Sequence, residues 1–383
     1  MADLVIPASM VLAAIFYSFV IIGLIVGLMR KEKSTSARKP FVSIIVAARN
    51  EEENLHRLLP ALVGQTYPDF EIIIVNDRSA DKTSAVVASF QQTHKNLKLI
   101  EVPANPADMP PKKNALAQGI KASKGEILCF IDADCVPTMQ WVSELLTLFQ
   151  PETGMVVGYS PYDETLLAVL PKEGFWKKLF WKFIAYEEVK AAGWSAGSIA
   201  WGKGWLCTGR NLAYRRAVYD EVGGYEKIKA SVSGDDDLFL QLVRRETAWK
   251  IRYSFSAGSF VKTLPPTTLS TFLEQRKRHF SAAKFFPFSM KLFFFLFHFS
   301  NLALFIGFVG FLLNVSPLLI GLPCFAAKLV ADASLFFISS MTFRQRGFAV
   351  YFLLMEILYI FYNTLIGPLG FIRKFEWKPE PKL

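Results

Sequence analysis

The chain has 383 residues, 52% of them hydrophobic, and 35 are phenylalanine. Its mean hydropathy is +0.29; together these exclude a disordered or freely solvated chain. The net charge of +10 leaves two partner classes, nucleic acid or an anionic membrane surface. Four cysteines, with neither a CxxC spacing nor a dense disulfide pattern, read as small buried hydrophobes in a reducing compartment rather than as a metal site.

In chain order, residues 8–29 carry no charge and are long enough to span a bilayer. Arg30, Lys31, Lys33, Arg38 and Lys39 follow them, so the positive-inside tendency predicts a cytoplasmic domain next. Residues 30–40 read as a basic linker. Strand and helix patterns then alternate: strands at Val42–Ala47, Glu71–Val75, Leu97–Val102, Ile127–Ile131 and Met155–Gly158, and helices around Leu55–Leu62, Asp77–Phe90 and Lys113–Ala122. That alternation predicts an α/β domain with a mostly parallel sheet over residues 41–268, binding ligands at the carboxyl ends of its strands. Residues 172–190 place Phe175, Trp176, Leu179, Phe180, Phe183 and Ile184 on one helical face and Lys177, Lys178 and Lys182 towards the other. Such a helix lies on a membrane surface or packs on the sheet. Residues 269–291 form a basic interfacial segment. Residues 292–371 supply two or three spans or re-entrant helices; Lys328 and Asp332, four apart, offset each other within one. Residues 372–383 are a basic tail, which sits awkwardly with four spans and the positive-inside tendency.

Asp132-Ala-Asp134, at the end of an apolar run, admits two chemistries. A haloacid-dehalogenase-type phosphatase would use Asp132 as nucleophile and Asp134 as general acid/base. A nucleotide-sugar transferase would use the pair to hold a divalent cation on a diphosphate. Three strand–helix units precede the motif, and the approach to the late acids, Glu226–Ser233, is polar rather than an apolar strand. Both features favour the transferase.

Several motifs resemble the membrane-bound inverting glycosyltransferases of family 2, in family order. They are Val42–Glu52, Glu71-Ile-Ile-Ile-Val-Asn-Asp-Arg-Ser79, Asp132–Asp134, Gly209-Arg-Asn-Leu-Ala-Tyr-Arg215, Gly223-Gly-Tyr225, Ser233-Gly-Asp-Asp236 and Gln275-Arg-Lys-Arg-His279. The resemblance implies a GT-A (nucleotide-diphospho-sugar transferase) fold flanked by transmembrane helices. It also implies residue roles. Ala47, Arg49 and Glu51 would lie beside the base and ribose, and Asp77 would accept from the base N–H, as expected for uracil. Lys112 or Lys113 would meet the diphosphate. Asp132 would face ribose and sugar, and Asp134 would be the main ligand of Mg2+ or Mn2+. Asp236 would be the general base beside Asp235, with the alignment inside Asp235–Asp237 open by one residue; a solvated acidic helix start is the bland alternative. Gln275, Arg276, Arg278 and His279 would close over acceptor and diphosphate. Arg49 and His279 stand where the family often has aromatic residues, and His279 argues against a polymer-extruding synthase. The expected activity is transfer of one sugar from a UDP-linked donor to a lipid-embedded hydroxyl, of glycolipid or carotenoid type, at the cytoplasmic face. A processive synthase, the phosphatase and a non-enzymatic scaffold are the alternatives. Nucleotide sugar, lipid and membrane are the expected partners, without nucleic acid.

Overall fold

The structure, a computed structural model, describes residues 2–30, 39–103, 108–163, 174–315, 318–345, 347 and 349–369. The tail 372–383 and most of the basic linker fall outside the described residues. The chain divides into two compact bodies: one of residues 31–173, 202–272 and 373–383, the other of residues 1–30, 174–201 and 273–372.

The first body is built on a seven-stranded sheet. Runs rich in aliphatic residues make β1 (Val42–Ala48), β2 (Phe70–Asn76), β3 (Leu97–Glu101) and β4 (Ile127–Phe130), all mutually parallel. These are the apolar runs of the sequence, one or two residues adjusted at the ends. β6 (Thr153–Gly158), β7 (Leu212–Arg215) and β8 (Lys250–Ser254) complete the order β3-β2-β1-β4-β7-β6-β8. β7 alone runs against its neighbours β4 and β6. A second, two-stranded sheet pairs β5 (Cys135–Pro137) with β9 (Val261–Thr263).

Side chains alternate across a strand, so β1 and β2 feed both faces. Ile44, Val46, Ile72 and Ile74 pack with Leu55, Leu58, Leu59 and Leu62 of α2 (Glu52–Val63) and with Val86 and Val87 of α3 (Thr83–Gln91). Ile45 and Val75 face the other way, against Gly119 of α4 (Pro111–Ala122). The helix expected from Asp77 starts only at Thr83. Arg78 has φ of +56°, and the Asp81 carboxylate accepts from Thr83 N at 3.0 Å, which fixes the turn just ahead of the helix. α5 (Trp141–Leu146), α7 (Arg216–Val222) and α8 (Asp237–Glu246) cover the rest. Glu226–Ile228 is a single 3-10 turn, so no strand leads into the late acids.

Among the described residues, the second body contains four helices long and apolar enough to cross a membrane: Leu4–Met29 within α1 (Ala2–Met29), α10 (Phe288–Leu312), α11 (Gly321–Thr342) and α12 (Phe352–Leu369). α6 (Phe175–Ile199) belongs to this body and packs against α1 and α11. Its first turn leaves Phe175 and Trp176 exposed, whereas almost every residue from Tyr186 to Ile199 is buried. The helix continues past residue 190, the limit expected from the sequence, and carries Glu187, Glu188 and Lys190 in buried positions. Those charges are paired. Lys190 Nζ lies 2.7 Å from Glu356 and 3.3 Å from Asp332. Lys328 Nζ lies 2.7 Å from Glu356 and 3.1 Å from Asp332. Tyr17 donates to Asp332 at 2.9 Å, and Tyr186 donates to Glu356. Two lysines and two carboxylates thus form a neutral set, sealed among α1, α6, α11 and α12. Asp332→Ala should destabilise the detergent-solubilised chain by about 3–5 kcal/mol. Removing a matched pair, Lys328→Met with Asp332→Leu, should destabilise it less, because no buried charge is orphaned. Thermal unfolding measures both.

Candidate nucleotide-sugar site

The carboxyl ends of β1 and β2 meet in a tied pair of loops. Asp77 N donates to Ala48 O at 2.8 Å. Asn50, with φ of +54°, accepts from Ala80 N at 2.8 Å, and Glu51 N donates to Thr83 Oγ1 at 2.9 Å. Asp77 is fully buried; the Arg78 guanidinium holds its carboxylate at 2.9 and 3.3 Å, with Arg49 at 3.8 Å. Ala47, Arg49 and Glu51 are each under a tenth exposed at this edge. The expected nucleotide residues therefore come together, with the Asp77 carboxylate engaged by arginine.

The acidic half is built from four elements. β4 ends at Phe130 beside Leu212 of β7. Because β7 is antiparallel, its incoming loop, with Gly209, arrives where β4 delivers Asp132 and Asp134. Pro110 and Pro111 start α4 here, at positions that need no N–H, and aim Lys112 at the acids. Lys112 Nζ lies 3.0 Å from Asp132 and 3.0 Å from Asp235. Lys112, Phe130, Asp132, Gly209, Tyr225 and Asp235 line one cleft. Burial disfavours the Lys112 charge, but Asp132, Asp235 and Asp236 outweigh it and hold its pKa above the ordinary lysine range.

The three consecutive acids have different surroundings. Asp235 faces the cleft; burial pushes its pKa up, but Lys112 outweighs this and leaves it below the usual carboxylate range. Asp236, expected as the base, has both oxygens engaged: Oδ1 accepts from Asp237 N at 2.7 Å and Oδ2 from Gly209 N at 2.9 Å. A Cβ at Gly209 would sit 3.3 Å from Asp236 and 3.4 Å from Asp235, so glycine permits this approach. Asp237 accepts from Cys207 N at 2.6 Å, and burial, reinforced by Asp236, raises its pKa well above the usual range.

Lys113, the alternative to Lys112 for the diphosphate, does not line that cleft. It is fully buried, and its ammonium donates to the carbonyls of Ser231 and, at 2.8 Å, Ser233. Asn211, in the motif after Gly209, is also structural: it accepts from Trp141 Nε1 at 2.9 Å and donates to Tyr159 O and Ser259 O at 2.8 Å each. Gln275, Arg276, Arg278 and His279 lie on α9 (Leu269–Ser281) in the helical body. There Arg276 pairs with Glu187 and, at 3.6 Å, Glu188 of α6.

Among the described residues no three ligating side chains cluster around one point. A hard cation such as Mg2+ or Mn2+ does not need three, since substrate phosphates and water complete its shell. Asp132 and Asp134 supply oxygen donors only, Asp132 is 38% exposed, and it already draws the Lys112 cation. The donor set fits a diphosphate-bound Mg2+ or Mn2+.

This sheet order, with acids after β4 and a lysine aimed at them, defines a GT-A nucleotide-sugar transferase domain. The model of glycosyl transferase family 2 matches residues 43–223; the chain carries a family 2 glycosyltransferase domain. It is 29% identical over 245 residues to the probable glycosyltransferase YdaM of Bacillus subtilis, covering 62% of this chain and 54% of that protein. It is 32% identical over 149 residues to a beta-monoglucosyldiacylglycerol synthase of Trichormus variabilis, covering 38% and 30%. The chain thus spans about half the length, or less, of these curated relatives. In fold it resembles the mannosyltransferase PcManGT of Pyrobaculum calidifontis, solved with GDP-Man and Mn2+. That likeness has a TM-score of 0.53 at 18% identity and covers 94% of this chain and 98% of that one.

The surroundings of the acids separate their effects on stability. The depressed pKa of Asp235 stabilises the fold above the ordinary carboxylate pKa, and that contribution is lost as pH falls through the folded value. The raised pKa of Asp237 acts oppositely: its charge opposes folding at neutral pH. At pH 7, Asp235→Asn should lose roughly 3 kcal/mol. Asp237→Asn, whose carboxamide oxygen can still accept from Cys207 N–H, should be at least as stable as wild type. Thermal melts compare the two.

Proposed function

We propose that the protein transfers a single sugar, with inversion, from a UDP-linked donor to a lipid-embedded hydroxyl at the cytoplasmic membrane face. The observation that carries this reading is the Lys112 bridge between Asp132 and Asp235 at the end of β4. It gathers in one cleft a cation for a diphosphate, a carboxylate for a metal and a carboxylate for a proton. The apolar helices and the glycolipid-synthase relative support a lipid acceptor.

Asp132 and Asp134 would hold a divalent cation, which when bound neutralises charge on the leaving diphosphate. Ala47, Arg49, Glu51 and Asp77 form the floor for base and ribose. The diphosphate competes with the carboxylates for Lys112. As Lys112 turns to it, Asp235 loses its counter-ion and becomes a stronger base. Asp235 then takes the acceptor hydroxyl proton, that oxygen bonds to the anomeric carbon from the opposite face, and the sugar–diphosphate bond breaks. Asp236 holds the Gly209 turn beside Asp235.

The test incubates the purified full chain with Mn2+, UDP- or GDP-sugars and lipid extract, followed by mass analysis of the lipid. One added hexose per lipid, with UDP sugars preferred, is expected. Free phosphate from phosphomonoesters without sugar transfer would overturn the reading. Asp235→Asn should reduce transfer by at least about 1,000-fold with UDP binding retained, whereas Asp134→Ala should abolish the Mn2+ dependence of UDP binding, as read by calorimetry.

A further inference from the structure

Lys113 is a fully buried lysine that the proposed chemistry does not use. It neighbours Lys112 on α4 but points elsewhere. Lys112 meets carboxylates, whereas Lys113 meets two backbone carbonyls, those of Ser231 and Ser233. Those carbonyls lie in the short segment that delivers Asp235. Gly234, between them and the acid, has φ of +84°, and a Cβ there would lie 2.6 Å from the Leu238 side chain. The segment has no strand or helix hydrogen bonds between Ser231 and the start of α8 at Asp237. Side chains tie it down instead: Lys113 at Ser231 and Ser233, ahead of the Lys112–Asp235 pair and the Asp236–Gly209 bond.

We propose that Lys113 is a positioning residue for sugar transfer: it staples the Ser231–Gly234 backbone to α4 and thereby sets where Asp235 stands relative to Lys112 and Asp132. Both lysines start from the same helical turn, so distance and angle between the base and the diphosphate-binding cation are set by α4. An ammonium suits the task because it offers three donors and no acceptor. A buried lysine is a poor choice for stability alone, since desolvation of its charge opposes folding. That burial lowers its pKa to about 8, against the pull of Asp235 and Asp236.

The inference rests on the transferase reading, so its test has one arm that needs no turnover. Lys113→Met keeps the length of the stem and removes every donor; Lys113→Gln keeps a shorter, neutral donor. Hydrogen–deuterium exchange of the full chain should show faster exchange in residues 231–238 for Lys113→Met, with β1 and β2 unchanged. Lys113→Gln should lie between Lys113→Met and wild type. With a UDP-sugar, kcat should fall by about 100-fold, and the KM for the donor should stay within about threefold. Unchanged exchange in 231–238 would overturn the proposal, even if no donor turns over. A raised donor KM with unchanged kcat would also overturn it, by making Lys113 a direct donor contact. Wild type that turns over no nucleotide sugar, with 231–238 still loosened in Lys113→Met, would reject the transferase reading and leave the staple standing.

Discussion

The structure depends on one electrostatic constraint. Two carboxylates from distant parts of the chain, Asp132 and Asp235, approach the same point inside a protein, where like charges repel strongly. Lys112, 3.0 Å from each, makes the arrangement tolerable. A lysine ammonium can do this and still leave, because it is a point charge on a flexible stem. The same contact that stabilises the empty cleft is then available to a diphosphate. Its departure alters the basicity of the carboxylate it leaves behind.

The fold supplies the means of bringing these groups together. Parallel strands deliver their carboxyl ends, and the polar residues after them, to one edge of the sheet. In the large sheet β7 runs against both its neighbours and lets a loop from later in the chain reach that edge from the opposite direction. Gly209 sits in that loop, and its lack of a side chain admits Asp235 and Asp236. Of the three acids, one faces the cleft, one is tied to backbone N–H groups and one is buried against Cys207, so adjacency in sequence becomes a division of labour.

How much of this was legible in the sequence follows the range of the interactions involved. β1, β2, β3 and β4 are apolar runs and show in the sequence within a residue or two. β7 is four residues long, lies between arginines and pairs antiparallel, and no local pattern marks it. Asp132 and Asp134 stand out by motif, Lys112 only as an alternative with Lys113, and the polar approach at Glu226–Ser233 agrees with the absence of a strand there. The Asp235–Asp236 choice was open by one residue because sequence does not say which carboxylate a backbone N–H will cap. Lys113 was assigned with Lys112 because its partners are carbonyls, which every residue has. In the helical body the Lys328–Asp332 pair follows from helical spacing. Lys190 and Glu356, which complete it, sit on other helices, and only packing reveals them.

The most direct test of the central claim is a density map of the full chain with Mn2+ and UDP bound. The account predicts the diphosphate on Lys112, a cation on Asp132 and Asp134, and Asp235 released from Lys112 and open to solvent or acceptor. Nucleotide bound elsewhere, or Lys112 still bridging Asp132 and Asp235 with the nucleotide in place, would contradict it.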